Sequence, residues 1–379
     1  MMTHKQAVPA LVFVSALVIG PLLFAQQVRV PEDRRTDELV KTRSIEQPQM
    51  SQYAVELPAG NKLTLLPVLG NVYMLAGGPA NIAIQVGDDG VFLVDSGPEE
   101  MSEWVLQAVR AVSKRQINFI AMTGPNPDHF TANAKIAAAG RNPTQQIPQL
   151  GGPVQNTVQP AAAGGGGGGG RGNLQTTGAV IFGHENTLNR MSAPTGQASA
   201  YPFALWPTST FFTPKKTYYW NGEPIEFISE TNATTDGDIL VFFRKSDVIA
   251  AGDVIDTNAY PRIDVKRGGS IQGVLEALND IIEMTVPSFN QQGGTKVIPG
   301  HGRLLNEADV VEYRDMMTII HDRVKLGIDK GMTLAQIKAQ RPTLDYDGLY
   351  SKPGWTGEML VDVIHQNLSS SNPRTAGAR

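Results

Sequence analysis

No cysteine occurs anywhere in this chain of 379 residues. Disulfides, thiolate nucleophiles and cysteine-based zinc sites are therefore excluded, and any metal must be held by His, Asp or Glu. Histidine is scarce too: His4, His129, His184, His301, His321 and His365 are the full set. Charge is sparse, at 18% of residues against 41% hydrophobic, with a formal net charge of −4. A weakly acidic chain offers no basic field to a phosphate backbone, which argues against a general nucleic-acid binder. Past the N-terminal segment, no apolar run is long enough to span a bilayer.

Residues 1–25 read as a signal peptide. Lys5 supplies the positive start, Val8 to Phe24 is an almost unbroken apolar run, and Leu23-Phe24-Ala25 offers a cleavage edge. An uncleaved anchor is the alternative, although Pro9, Gly20 and Pro21 suit a spanning helix poorly. The expectation is an exported protein, periplasmic or secreted, free of the membrane after cleavage. Residues 26–60 are polar, proline-punctuated and aperiodic, as in a flexible linker. Residues 61–305 carry the main domain, 306–368 a C-terminal helical extension and 369–379 a disordered tail. Within the main domain, residues 142–175 form a Gly-rich insertion with seven consecutive glycines from Gly164 to Gly170. That run lacks the Gly-Lys-Ser/Thr ending of a phosphate-cradling loop, and polyglycine has no side chains to bury.

Short strands begin at Leu63. Ile82–Val86 and Val91–Val94 flank Gly87-Asp88-Asp89-Gly90, a hairpin signal. Glu99 to Ser113 has helical spacing, and Ile117–Met122 is an apolar strand leading into Asp128-His129. A helix is expected over Thr131–Ala139, a strand over Gly178–Phe182 and a helix over His184–Met191. Further strands are expected at Ile225–Ile228, Ile239–Phe243, Val248–Ala251 and Lys296–Ile298. Ser270–Met284 is an amphipathic helix, and Ala308–Lys325, Leu334–Gln340 and Gly357–Leu368 follow as helices. Strands alternating with helices through both halves predict two mixed sheets sandwiched by helices.

Ligand-type side chains fall where these strands end. Asp128-His129 follows one, Asp253 follows Ala250-Ala251-Gly252, and His301 lies between Gly300 and Gly302 after another. Loops at strand ends are where scaffolds place chemistry. Taken singly, each has a blander reading: Asp128 as the N-cap of the next helix and His129 as a solvated loop residue. His184 reads as a helix cap rather than a ligand, and Asp95 as an acceptor that orients a site residue. His321 and His365 lie in amphipathic helices and are not expected to bind metal.

In that order, the residues resemble the metallo-β-lactamase-fold hydrolases, from about Leu63 to Gly302, and its exported cyclase-like members in particular. The landmarks are Leu93-Val94-Asp95-Ser96-Gly97, Gly124-Pro125-Asn126-Pro127-Asp128-His129, Gly183-His184-Glu185-Asn186-Thr187, Thr234-Thr235-Asp236-Gly237-Asp238, Gly252-Asp253 and Gly300-His301-Gly302. The resemblance implies an α/β fold, a four-layer αββα sandwich, here with extra C-terminal helices. It also implies that three first-metal histidines are replaced by Gly124, Asn126 and Thr234, while Asp128, His129, Asp253 and His301 remain. One Zn²⁺, or Fe²⁺ or Mn²⁺, is then expected and a second metal is not. Asp253 or Asp128 would accept a proton and Asn126 would donate to a developing oxyanion. The implied activity is hydrolysis of an ester, thioester, lactone, lactam or other amide. A catalytically degenerate binding protein is the alternative, and single-metal redox or lyase chemistry a third. The sequence sets neither the substrate nor the oligomeric state.

Overall fold

The computed structural model describes residues 54–143, 178–194, 196–285 and 294–370. The chain divides into Met1–Gln49 and Met50–Arg379, and all described residues belong to the second unit. The expected signal, most of the linker, nearly all of the Gly-rich insertion and the tail beyond residue 370 lie outside the described residues.

Two sheets form the centre. The first has seven strands in sequential order: β1 (Thr64–Leu69), β2 (Val72–Ala76), β3 (Ile82–Val86), β4 (Val91–Val94), β5 (Ile117–Ala121), β6 (Val180–His184) and β7 (Ser209–Phe211). β1 to β4 are antiparallel, and β4 to β7 run parallel to one another. The second sheet orders β12 (Lys296–His301), β11 (Val248–Asp256), β10 (Ile239–Phe243), β9 (Glu223–Ser229) and β8 (Lys215–Trp220). Only β11 and β12 pair in parallel there. The carboxyl ends of β4, β5 and β12 lead to the site described below.

The strands read as continuous apolar runs because both faces are covered. In β4, Phe92 and Val94 enter the core between the sheets, while Val91 and Leu93 face the helical side. In β10, Val241 and Phe243 take the inner face and Leu240 and Phe242 the outer one. Helices α1 (Ser102–Val112) and α3 (Asn133–Ala139) cover the first sheet. Helices α5 (Ile271–Thr285), α6 (Glu307–Asp329) and α9 (Gly357–Ser370) cover the second. The layers are therefore helix, sheet, sheet, helix, as expected.

Some local expectations differ. The helix expected over Thr131–Ala139 is α3, which starts at Asn133 after a separate short helix α2 (Pro127–Phe130); its N-cap is Ala132, so Asp128 does not cap it. Helix α4 (Glu185–Met191) begins one residue later than expected. Between α7 (Leu334–Ala339) and α9, the short α8 (Asp347–Tyr350) had no periodic signal. In the 306–368 extension, Met317, Ile320, Val361 and Ile364 share one core with Leu240 and Ile249 of the second sheet. Tyr260 ties them further, donating from its hydroxyl to Asp347 Oδ1 at 3.0 Å and accepting at its carbonyl from Trp355 Nε1 at 2.9 Å.

Candidate metal centre

Strand β11 does not end before Asp253. It continues to Asp256, with a register shift at Gly252, whose φ is 52°. The expectation of Asp253 at a strand exit is therefore corrected: the aspartate sits inside a strand, just past a bulge. Bulges of this kind re-aim a side chain without ending the pairing. Gly300 faces this bulge so closely that a Cβ there would lie 2.7 Å from the Gly252 carbonyl carbon.

His129 lies in α2 and is 1% exposed. Its backbone carbonyl accepts from the N–H groups of Ser96 (2.8 Å) and Gly97 (3.0 Å), fixing it to the end of β4. Its Nδ1 meets Asp95 Oδ2 at 2.7 Å. Asp95 stands in the left-handed region, φ 64°, and also accepts from Thr123 N–H (2.8 Å) and Thr123 Oγ1 (2.7 Å). His301 Nδ1 meets the Pro79 carbonyl at 2.5 Å. Buried Asn81 holds the end of β12 by donating from Nδ2 to the carbonyls of Pro299 (2.9 Å) and Gly302 (3.1 Å).

With both Nδ1 atoms facing acceptors, each ring keeps a proton there, and its Nε2 would turn a lone pair inward once a cation displaced the second proton. The two Nε2 atoms converge on Asp253 Oδ1, at 3.1 Å from His129 and 2.8 Å from His301. Asp128 Oδ2 lies 3.6 Å from His301 Nε2. One ligand atom each from Asp128, His129 and His301 falls within 4.8 Å of the others. Ligands about 2.0–2.2 Å from a tetrahedral ion are separated by ~3.4 Å, so this donor set fits zinc, iron or manganese. Burial would depress the basicity of His129, but Asp253 and Asp95 outweigh it and raise its pKa well above the ordinary value. Burial likewise opposes ionisation of Asp253, but the charge and hydrogen bond of His129, then those of His301, hold it well below the carboxylate range.

On the other side of Asp253 no imidazole approaches among the described residues. Asn126 occupies the N-cap position of α2 but leaves the helix uncapped, donating instead from Nδ2 to Asp253 Oδ2. Thr234 is fully buried and donates from N and Oγ1 to Asp238 Oδ2, at 2.7 and 2.5 Å. Thr235 completes the enclosure through both its N–H (2.9 Å) and its hydroxyl. Burial pushes Asp238 up to about 6. A Cβ at Gly124 would lie 3.0 Å from Asp238 Oδ1, so Gly124 belongs to the same pocket wall. Asp238 and Arg267, whose Nη1 reaches Asn126 Oδ1 at 3.5 Å, were not singled out in sequence. Asp238 ends the Thr234-Thr235-Asp236-Gly237-Asp238 run, which was a legible signal; Arg267 had none.

His184 stays out of the centre. Its Nδ1 accepts from Asn186 N–H at 3.2 Å, capping α4. Burial lowers its pKa, keeping the ring neutral and able to accept. His321 instead pairs with Asp322 at 2.8 Å.

The layered topology and the placement of this cluster at the carboxyl ends of the parallel strands decide the fold. The chain has the metallo-β-lactamase fold. The structure of the sec-alkylsulfatase Pisa1 from Pseudomonas sp. superimposes on this metallo-β-lactamase fold with a TM-score of 0.53 and 14% identity, over 82% of this chain and 51% of that one. A double mutant of the same sulfatase gives 0.54 and 15%, over the same shares. The chain thus spans about half the length of these two structures. A metallo-β-lactamase from Pontibacter korlensis has a TM-score of 0.46 and 12% identity, over 68% of this chain and 99% of that one. No protein-family model and no curated protein matches the sequence.

Proposed function

We propose that this chain is an exported hydrolase that holds one divalent cation between Asp128, His129, Asp253 and His301. Its substrate is a small molecule with an ester, thioester, lactone or amide bond. The observation that carries this reading is the pair of imidazoles with Nδ1 engaged and Nε2 converging on one carboxylate, Asp253.

Zn²⁺ suits this set, with Fe²⁺ and Mn²⁺ compatible. Such a cation supplies Lewis acidity and an acidified water. Asp253 Oδ1 lies against both Nε2 atoms and its Oδ2 accepts from Asn126 Nδ2, so Asp253 would serve as a ligand fixed beside the two rings and not as a proton shuttle. Asp128 is the proton acceptor, because its side chain is 35% exposed and its one ion-pair contact is long. Asn126 fixes Asp253 with one N–H of its amide and offers the second to an oxyanion.

Elemental analysis of the purified protein tests the reading. About one zinc, iron or manganese per chain is expected, absent from Asp128→Ala combined with His301→Ala. Hydrolysis of a panel of p-nitrophenyl esters, thioesters, lactones and secondary alkyl sulfates is expected to stop with chelator and return with metal. The alkyl sulfates join the panel because the sulfatase structures share the fold over most of this chain. Failure to take up metal after reconstitution overturns the reading. It would favour a non-catalytic protein that binds through its cleft, which the closed Thr234–Thr235–Asp238 network also suits.

A further inference from the structure

Acidic side chains gather where the end of β9 meets α5, and no base is paired with them among the described residues. Glu230, the residue after β9, is 7% exposed. Its Oε1 is sealed from solvent without a hydrogen-bond partner among the described residues. The charges that act on it, Asp280, Asp238 and Glu276, all have its own sign. Asp280 in turn faces Glu283 and Glu276. Arg314 of α6 does reach α5, but it is spent on Asn279 Oδ1 at 2.9 Å and Asp315 at 2.7 Å.

The backbone fixes Glu230 beside the helix. Its N–H donates to the Asp238 carbonyl at 2.8 Å, and its carbonyl accepts from Ala233 N–H at 3.0 Å. Two residues on, the Asn232 carbonyl accepts from Ser270 N–H at 3.0 Å, and a Cβ on Gly273 would stand 1.9 Å from that carbonyl oxygen. From Gly273, the exposed Glu276 and Asp280 follow at steps of three and four along one face of α5, and Glu283 extends the row. Like charges at these spacings repel. They also stand toward the carboxyl end of α5, where the helix dipole is negative and the last turn has no basic residue. A solvated row of acids is ordinary. A row set beside a buried, unbonded carboxyl is short of positive charge.

We infer that Glu230, Glu276 and Asp280 form a calcium site outside the His129–His301 centre, with Glu230 as its buried anchor. Donor sets made only of oxygen select hard cations. Among the described residues, Asp128, His129 and His301 are the one set of three such side chains whose ligand atoms already lie within 4.8 Å of one another. Glu276 and Asp280 therefore turn inward from the exposed face to close on the ion. One fixed carboxylate and two mobile ones suit Ca²⁺, which takes about six to eight oxygens at about 2.3–2.6 Å in flexible geometry, water included. Mg²⁺ demands a near-ideal octahedron at about 2.0–2.1 Å and sheds its water reluctantly.

Titration calorimetry of the full chain with calcium chloride at pH 8.5 tests this. Burial, then Asp280, Asp238 and Glu276, raise the Glu230 carboxyl to about 8, so it is mostly ionised at that pH. One Ca²⁺ per chain is expected, with a rise in melting temperature, and Mg²⁺ should bind more weakly. At pH 6.5 the affinity should fall about 10- to 30-fold, as a proton returns to Glu230. Glu230→Gln should weaken binding about tenfold or more, and so should Glu276→Gln combined with Asp280→Asn, two exposed positions that leave the core intact. Asp128→Ala combined with His301→Ala should leave calcium binding unchanged. No calcium binding, binding that survives both sets of α5-side variants, or binding lost in the Asp128→Ala and His301→Ala protein overturns the site.

Discussion

Asp95 and His129 form an almost wholly buried acid–imidazole pair, with Asp95 Oδ2 2.7 Å from His129 Nδ1 and side-chain exposures of 3% and 1%. Asp95 reaches this position from a left-handed backbone conformation, φ 64°, which aspartate and asparagine tolerate better than other residues with a Cβ. Asp95→Asn should therefore keep the turn while removing the charge that orients the ring. Metal affinity is expected to fall about 10- to 100-fold, measured by competition with a chromogenic chelator. Unchanged affinity would mean that His129 is not a ligand.

Gly252 lies between the two halves of that arrangement. Its φ is 52°, and a Cβ there would fall 2.6 Å from Thr123 Cβ. Thr123 in turn donates twice to Asp95. Gly252→Ala should cost about 1–3 kcal/mol in urea unfolding and should also lower metal content, because both Thr123 and the adjacent Asp253 must move. Loss of stability with full metal occupancy would show that the bulge does not aim Asp253.

Glu230 is 7% exposed, and its Oε1 has no hydrogen-bond partner among the described residues. Burial, then Asp280, Asp238 and Glu276, push its pKa from 4.5 to about 8. The folded protein therefore keeps a proton that the unfolded chain has released between these values. The resulting stability is fully present below pH 4.5 and is lost as pH rises through about 8. Glu230→Gln should make unfolding stability less dependent on pH, gaining on the order of a few kcal/mol relative to the parent at pH 9. Parallel pH profiles for the two proteins would rule this out.

His184 caps α4 as a neutral acceptor, with its pKa lowered mainly by burial. A depressed histidine contributes stability above its unfolded pKa and loses it as pH falls through the folded value. His184→Ala should cost about 1 kcal/mol, and His184→Asn should recover most of that, as read from thermal melts near pH 7.5. Bound metal should be the same in all three proteins; a drop in His184→Ala would make this residue part of the centre.

Much of this was legible in the chain. The runs Val91–Val94, Ile117–Ala121 and Ile239–Phe243 are apolar without alternation, which is the mark of strands covered on both faces. They place Asp95 and the Asp128-His129 segment at strand ends. The position of Asp253 was misread because a bulge is one extra residue in an otherwise regular run, and only its φ and its partner register reveal it. Arg267 was invisible for another reason. In sequence, Val265-Lys266-Arg267-Gly268 is an ordinary polar turn, and its contact with Asn126 spans 141 residues.

The sequence alone determined which chemistry was open to this protein: no thiol, few imidazoles, and two sets of doubly buried strands that must stack as layers. Tertiary structure decided how that chemistry is aimed. His129 meets Asp253 across 124 residues, and His301 meets the Pro79 carbonyl across 222. Local periodicity reports which face of an element is buried. The tautomer of a ring and the direction of its other nitrogen depend on an acceptor from a distant segment: Asp95 just past β4 for His129, and for His301 the Pro79 carbonyl, which is in place only when the two sheets have packed.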